Sequence, residues 1–420
     1  MTHLGTLGVS VDIGTSNITL HLINLETSEI RHEMIIDNAQ RKHGEEIISR
    51  MDYARNRNNA LKLTTIVRQS ISNTIREMLA DSRYKKESVK SVTIVGNTAM
   101  HHLFFDLPTD SLLRPPYKAE FKDSISTSAS SLLLPFDSDT ECYSPPVIES
   151  YVGPDAIAMM IASGFPDSEK NTVSIDVGTN TEIAVLKEGR IWIASAASGP
   201  AFEGMSIQCG MPGEIGAIHS VEVDSSISKP RYEVVGAGMP RGICGTGIVS
   251  AISSMLDAGI LLPRGSFNRT ISSPWLELGS PIVYYIIVPS QESMTGSAIV
   301  ISQPDVRMIQ QSKAAIRGAF ELLLEQAGLK SEDIQQLNLT GIFGSGLSVE
   351  AAIRIGLIPE LPGAEIHQIP GGAIKGADLL HSMKYREIAS HIASTVTHVN
   401  LIDNPDFKTK FSKSIGFPSR

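Results

Sequence analysis

Residues Val11–Leu20 read "VDIGTSNITL", and residues Ile175–Leu186 read "IDVGTNTEIAVL". The second phrase repeats the first at an offset of 164 residues. Each places an Asp after a β-branched run, then one apolar residue, Gly-Thr, small polar residues and a second apolar run. That pattern predicts a β-hairpin with a carboxylate, Asp12 or Asp176, at its mouth. Glycine at Gly14 and Gly178 lets the backbone come close to a ligand. The turn N–H groups, with the side chains of Thr15, Ser16 and Asn17 or of Thr179 and Asn180, form a nest for phosphate oxygens. An Asp repels phosphate directly, but it can hold a hydrated Mg2+ that bridges the two anions. One such hairpin alone reads as structural. Two in register, each opening a half of the chain, predict two jaws that clamp a triphosphate.

The rest of the composition fits a large globular protein. The 420 residues are 42% hydrophobic, enough for a substantial core and too many for one simple domain, so two lobes are expected. A net charge of −9 disfavours a nucleic-acid partner. No apolar run approaches the roughly 20 residues that span a bilayer, and "PIVYYIIVP" (Pro281–Pro289) reads as a buried strand. The N-terminus carries no secretory pattern. Cys142, Cys209 and Cys244 stand far apart without a Cys-x-x-Cys, so a reducing, cytoplasmic compartment is expected. His101–His102 reads as packing or surface rather than as a metal site. Monomer and homodimer are both compatible with the sequence.

Along the chain the pattern is α/β. A strand–turn–strand (Gly8–Asn24) leads through the polar loop "DNAQRKHGEE" to a long helix near Leu63–Leu79. A strand then runs into the helix of "GNTAMHHLF". Residues 107–147, rich in Pro, Ser and Asp, read as an irregular excursion. "VGPDAIAMMIASG" enters a helix of small residues. The pattern restarts at Val173, passes through the Gly-rich "GICGTG" into a helix, and reaches a long helix at about Asp305–Ala327. Gly245, Thr246 and Gly247 offer N–H groups at a positive helix end and are read as facing the ribose–adenine side of a nucleotide. A helix, the strand "STVTHVNLI" and a short helix close the chain.

In its order of elements the sequence resembles the actin/sugar-kinase/heat-shock-chaperone ATPase superfamily. The two phosphate hairpins correspond to Asp12–Asn17 and Asp176–Thr181, the connecting helices to Pro154–Gly164 and Gly371–Leu380, and the adenosine loop to Leu339–Gly346. The resemblance implies a two-lobe actin-like fold with an interlobe nucleotide cleft. Residues 1–165 would form the first lobe, 166–365 the second, and 366–420 a segment returning to the first. It implies ATP and Mg2+, with Asp12 and Asp176 holding the metal through water. Asp155 takes the place of the polar residue that orients the attacking water or acts as base; an Asp there also suits a helix N-cap. Gly341, Gly344 and Ser345 take the adenosine-loop positions, and Ile342 departs from the usual paired glycines. Small residues on the connecting helices (Ala156, Ala158, Ala162, Gly372, Ala373, Gly376, Ala377) suit a close crossing at a hinge or ordinary tight packing.

Further phrases resemble the ATPase region of the reductive activators of corrinoid proteins: "GNTAMHHLF", "SYVGPDA", "DVGTNTEI", "SGPAFEGMSIQCGM", "PRGICGTGIVSAI" and "RIGLIP". That family implies ATP-coupled return of a corrinoid methyltransferase protein from Co(II) to Co(I). Family members usually carry an iron–sulfur domain. This sequence has no four-cysteine set, so no intrinsic cluster is expected, and either a separate iron–sulfur donor would deliver the electron or the protein would remodel its partner without redox chemistry. Activators of 2-hydroxyacyl-CoA dehydratases share one cluster between two subunits; Cys209 and Cys244 fit buried residues in tight loops better. Glu203 suits either a metal hydration shell or a first helical turn. Asn97 and Arg241 suit either ligand contact or loop structure. A small-molecule kinase of the same fold and a non-catalytic nucleotide-dependent scaffold are the rival readings.

Overall fold

The computed structural model describes residues 6–82, 84–279, 281–341, 344 and 346–419. The chain divides into two compact units. The first comprises Met1–Glu169, Leu186–Ile193 and Gly371–His398; the second comprises Lys170–Val185, Ala194–Pro370 and Val399–Arg420.

The first unit is built on a six-stranded sheet. Its strands are β1 (Leu7–Ile13), β2 (Asn17–Asn24), β3 (Ile30–Asp37), β4 (Val89–Gly96), β5 (Ile125–Ser128) and β6 (Glu141–Ser144), in the order β3-β2-β1-β4-β6-β5. β1 is buried on both faces, which explains its continuous apolar run. It pairs antiparallel with β2, ending at Ile13↔Ile18, and parallel with β4, ending at Ile13↔Gly96. The helix Arg57–Ser82 lays Leu63, Val67, Ile71, Ile75 and Met78 as one stripe onto the core. The polar loop "DNAQRKHGEE" contains a single turn of 3-10 helix, Ala39–His43, capped by Asn38.

Residues 107–147 are more ordered than their composition predicts. β5 and β6 extend the sheet, with Val92↔Cys142 in parallel register. Each is four residues long, too short to show a clear alternation in sequence. At the other end of the chain the expected strand "STVTHVNLI" shrinks to Thr397–His398.

The helices Pro154–Ala162 and Gly372–Leu379 cross within the first unit. A Cβ placed on Gly376 would lie 2.0 Å from the Ala158 carbonyl oxygen, so the crossing needs glycine there. Gly376→Val is expected to lower the unfolding free energy by roughly 1–3 kcal/mol, the usual effect of overpacking, read as a lower denaturation midpoint. A buried polar network ties this segment to the sheet. His21 Nδ1 lies 2.8 Å from Asp378 Oδ2, and the His381 ring lies 2.6 Å from Ser91 Oγ and 3.1 Å from Ser10 Oγ. Burial pushes His381 down to about 3, so its ring is neutral.

The second unit repeats the hairpin in the same topological setting. β7 (Thr172–Val177), β8 (Thr181–Lys187) and β9 (Arg190–Ala196) belong to a six-stranded sheet whose other strands include Gln336–Gly341 and Glu365–Gln368. Gln336–Gly341 runs parallel to β7 with Thr340↔Asp176 and Gly341↔Val177 in register. As β4 does beside β1, this strand ends in glycine beside the residue that follows the Asp. The helix Gly245–Asp257 is tied to the strand Ala217–Asp224, Ser250 Oγ and Ser254 Oγ accepting from the N–H groups of Val221 and Val223 at 3.0 and 2.7 Å. Ser302 and Asp305 form a capping box on the helix Gln303–Ala327.

Candidate functional site

Asp12 sits one residue before the end of β1, opposite Thr19. In the turn that follows, each carbonyl is held from behind. Gly14 accepts from Asn38 Nδ2 at 2.8 Å, Thr15 from Arg50 Nη2 at 2.5 Å and Ser16 from the Asn38 N–H at 2.8 Å. In a planar trans peptide the next N–H points the opposite way. The N–H groups of Thr15, Ser16 and Asn17 therefore face away from Asn38 and Arg50, which is the arrangement an anion nest requires. Asn38 lies in the polar loop "DNAQRKHGEE" and Arg50 just beyond it, and sequence reasoning missed both.

Asn97 has a structural duty in the first unit. Its Oδ1 caps the helix Thr98–Phe105 by accepting from the Met100 N–H at 3.0 Å, and its Nδ2 donates to Thr15 Oγ1 at 3.2 Å. The adjoining glycines stack three backbone segments. A Cβ on Gly96 would lie 2.7 Å from the Ile13 carbonyl, and one on Gly153 would lie 2.5 Å from the Gly96 carbonyl. This stack brings the start of the helix Pro154–Ala162 to the end of β1 and β4. Gly153 is its N-cap residue, so Asp155 lies inside the first turn rather than at the cap. Its Oδ1 accepts from the Ala156 N–H at 2.8 Å, which fixes the carboxylate's direction.

In the second unit, Asp176 occupies the end of β7. Burial pushes its carboxyl up to about 6, with the Thr340 hydroxyl opposing the shift. Gly341, at φ +65°, admits this carboxylate: a Cβ there would lie 2.4 Å from Asp176 Oδ1. The turn is closed by the Gly178 N–H donating to the Asn180 carbonyl at 3.1 Å. Ser198 Oγ donates to the Gly178 carbonyl at 3.2 Å. Thr179 Oγ1 donates to Glu203 Oε1 at 2.8 Å, so Glu203 belongs to this hairpin's surroundings.

The Gly-rich helix entry has a structural cause. A Cβ on Gly245 would lie 1.7 Å from the Phe202 carbonyl, and one on Gly247 would lie 2.2 Å from the Ile218 carbonyl. Close backbone packing thus requires both glycines, while Thr246 Oγ1 lies 3.3 Å from Cys244 Sγ. Gly344 packs on the Ile369 carbonyl, whose oxygen would lie 2.4 Å from a Cβ at that position. Ser345 and Ile342 lie outside the described residues. A cleft of about 400 Å³ in this unit is lined by Ser250, Ser253, Ser254, Asp257, Ser348 and Arg354. It is made by the helix that starts at Gly245 and by the helix Val349–Arg354. The signal for it was the Ser/Asp spacing 250, 253, 254 and 257 on one helical face.

Other expected residues have local duties. Arg241 is about half exposed, packs over Gly216 and pairs with Glu214 at 3.5 Å, which fixes a loop. Cys244 Sγ donates to the Ile218 carbonyl at 3.3 Å, and Cys209 Sγ accepts from the Val300 N–H at 3.4 Å. His101 and His102 are buried, and burial pushes both rings below their ordinary range, His102 to about 4. Among the described residues no three His, Cys, Asp or Glu side chains are grouped to hold a metal directly. Carboxylates such as Asp12 in the first unit, and Asp176 and Glu203 in the second, are oxygen donors of the kind that suits a hard, hydrated cation such as Mg2+. The outward-facing N–H groups of the first turn suit a phosphate.

Comparison with known proteins identifies the chain's relatives. Residues 7–168 match the model of the RACo middle region, and residues 170–420 match the C-terminal domain of RACo, the ASKHA domain. The "Corrinoid activation enzyme RamQ" of Eubacterium limosum is 32% identical over 409 residues, covering 95% of this chain and 68% of that protein. The "[Co(II) methylated amine-specific corrinoid protein] reductase" of Methanosarcina barkeri is 26% identical over 387 residues, covering 84% of this chain and 66% of that protein. Among solved structures, a "Reductive activator for corrinoid,iron-sulfur protein" superposes with a TM-score of 0.91 at 27% identity, over 100% of this chain and 67% of that one. The chain thus spans about two thirds of the length of these relatives. It has the ASKHA, actin-like ATPase fold and belongs to the RACo family.

Proposed function

We propose that the chain is an ATP-hydrolysing activator that couples nucleotide binding and turnover to the reduction of a partner corrinoid protein from Co(II) to Co(I). An iron–sulfur protein donates the single electron. The observation that carries the reading is the duplicated hairpin: each unit sets an Asp at a strand end, follows it with a Gly-Thr turn, and packs a glycine-ended parallel strand beside it.

Within that reading the residues divide the work. The turn residues Gly14–Asn17 and Gly178–Asn180 bind phosphate oxygens. Asp12 and Asp176 hold Mg2+ through water, with Glu203 orienting Thr179 and the hydration shell. When bound, the metal supplies charge neutralisation of the phosphates. Asp155 orients the attacking water and accepts its proton. Gly245–Gly247, Gly341, Gly344 and Ser345 serve the adenosine side, and the serine-lined cleft beside them supplies hydroxyl partners for a polar heterocycle. Residues 1–165 and 166–365 are the proposed first and second lobes; of the expected returning segment 366–420, Gly371–His398 groups with the first unit and Val399–Arg420 with the second.

Steady-state ATP hydrolysis with Mg2+ tests the reading, with and without corrinoid proteins held in the Co(II) state and a reduced iron–sulfur donor. Turnover that rises with one corrinoid protein, together with ATP-dependent appearance of the Co(I) absorption band, is the expected result. Nucleotide binding without turnover under every condition would replace the ATPase reading by that of a nucleotide-dependent scaffold.

A further inference from the structure

Arg50 lies on the helix Ile47–Ala54 and is 0% exposed. Its guanidinium donates to three main-chain carbonyls: Nε to Gly44 at 2.7 Å, and Nη2 to Thr15 at 2.5 Å and Glu45 at 3.2 Å. Nη1 reaches Met100 Sδ at 3.5 Å. Among the described residues none of its hydrogen bonds goes to a carboxylate. Glu45, an acid whose charge acts on it, is ion-paired to Arg41 at 3.0 Å. Burial, with the Arg41 charge adding, lowers Arg50 to about 10, which leaves it a cation at neutral pH.

A fully buried cation without an anion is unfavourable unless something offsets the desolvation. Here the backbone dipoles of Gly44, Glu45 and Thr15 offset part of it. The remainder of the positive field falls on the turn whose carbonyl Arg50 holds. Because the Thr15 carbonyl points at Arg50, the Ser16 N–H points to the opposite side. The same side chain therefore sets the direction of the turn's donors and places a net charge behind them. Lys could not do both: it keeps the charge but lacks the planar fork that spans Gly44 and Thr15.

Resting on the nucleotide-binding reading of the first hairpin, we propose that Arg50 is its positioning residue. The guanidinium holds the Thr15 carbonyl inward and acts as the buried counter-charge for the polyphosphate of a bound nucleoside triphosphate. Selectivity for the number of phosphates then depends on a residue that never touches the ligand.

The test uses the full chain as wild type, Arg50→Lys and Arg50→Met. Dissociation constants for Mg·ATP, ADP and adenosine are measured by titration calorimetry at low and high salt. Hydrogen exchange at the amides of Thr15–Asn17 is followed in parallel. In Arg50→Met, affinity for ATP is expected to fall about tenfold, with a smaller loss for ADP and almost none for adenosine, as a lost charge interaction requires. A merely structural role would weaken all three ligands alike, and that result, or unchanged ATP affinity, overturns the counter-charge. Arg50→Lys is expected to keep most of the phosphate selectivity while exchange at Thr15–Asn17 rises several-fold. Unchanged exchange overturns the positioning role. Should Arg50→Met fail to fold, Arg50→Gln, which also removes the charge, decides the counter-charge through the same ATP-to-adenosine ratio, and the lysine variant decides the positioning through exchange. Should wild type bind no nucleotide, the nucleotide reading fails, the counter-charge role falls with it, and exchange in Arg50→Lys still decides whether Arg50 fixes the turn.

Discussion

Asp155→Ala is expected to lower the rate of ATP hydrolysis by about 10²–10⁴-fold, the range for removing a positioned acid–base group, with little change in nucleotide affinity. The argument starts from backbone packing. Gly96 lies against Ile13, and Gly153 lies against Gly96 and Thr98. Two glycines thus carry the helix Pro154–Ala162 to the end of the strand that bears Asp12. Pro154 starts that helix, Gly153 caps it, and Asp155 falls in the first turn. Its Oδ1 is held by the Ala156 N–H at 2.8 Å, so the carboxylate has a set direction. An acid in this position gains from the positive helix end whether or not it acts on water. The decisive comparison is therefore between turnover and stability. A structural acid would lose stability and leave kcat intact. A water-orienting acid loses kcat while the melting temperature shifts by a few degrees at most. An unchanged kcat in Asp155→Ala would remove this residue from the mechanism.

How far the sequence revealed this site depends on the kind of signal each residue carries. Asp12 and Asp176 were legible because strand, Asp, Gly-Thr and strand recur in order, and the recurrence does not depend on distant contacts. The same holds for Leu63–Leu79 and Asp305–Ala327, whose 3.6-residue periodicity is long enough to stand alone; the structure extends the first to Arg57–Ser82 and the second to Gln303–Ala327. Gly96, Gly153 and Gly341 were visible as glycines but not as a set. Their role is a tertiary one, the close approach of one backbone to another, and no local pattern encodes the partner. Arg50 and Asn38 were hidden for the opposite reason. Arginine and asparagine in a polar segment look solvated, yet both are fully buried because the carbonyls of Gly14, Thr15, Ser16 and Gly44 satisfy or face them. β5 and β6 escaped notice because four residues cannot display a period of two convincingly, and their register comes from the neighbouring strand β4.

Asp176→Asn is expected to reduce Mg2+-dependent hydrolysis by about 10–100-fold, the usual effect of removing a carboxylate that acts on a metal through its surroundings. The same change is expected to stabilise the nucleotide-free protein above pH 6. The sign follows from burial. Asp176 is raised from the ordinary 3.8 to about 6, so the folded state holds its proton more tightly than the unfolded chain does. The stability that this protonation contributes is fully present below the unfolded value. It is lost as pH rises through about 6, where the folded protein must carry a desolvated charge. Asparagine carries none, so the stability difference between variant and wild type should be small at pH 4, grow between pH 4 and 6, and stay constant above. Ligand binding runs the other way. A cation near the site favours the carboxylate, so wild-type affinity for Mg·ATP should weaken as pH falls through the same range, and the variant's affinity should be flat there. Denaturant melts at pH 4, 6 and 8, set beside calorimetric titrations with Mg·ATP, read both halves. A variant less stable than wild type at pH 8 would mean that favourable contacts of the Asp176 carboxylate outweigh its burial. The strand end, with Gly341 cleared for it, would then be built to stabilise the fold rather than to hold a charge ready for a metal.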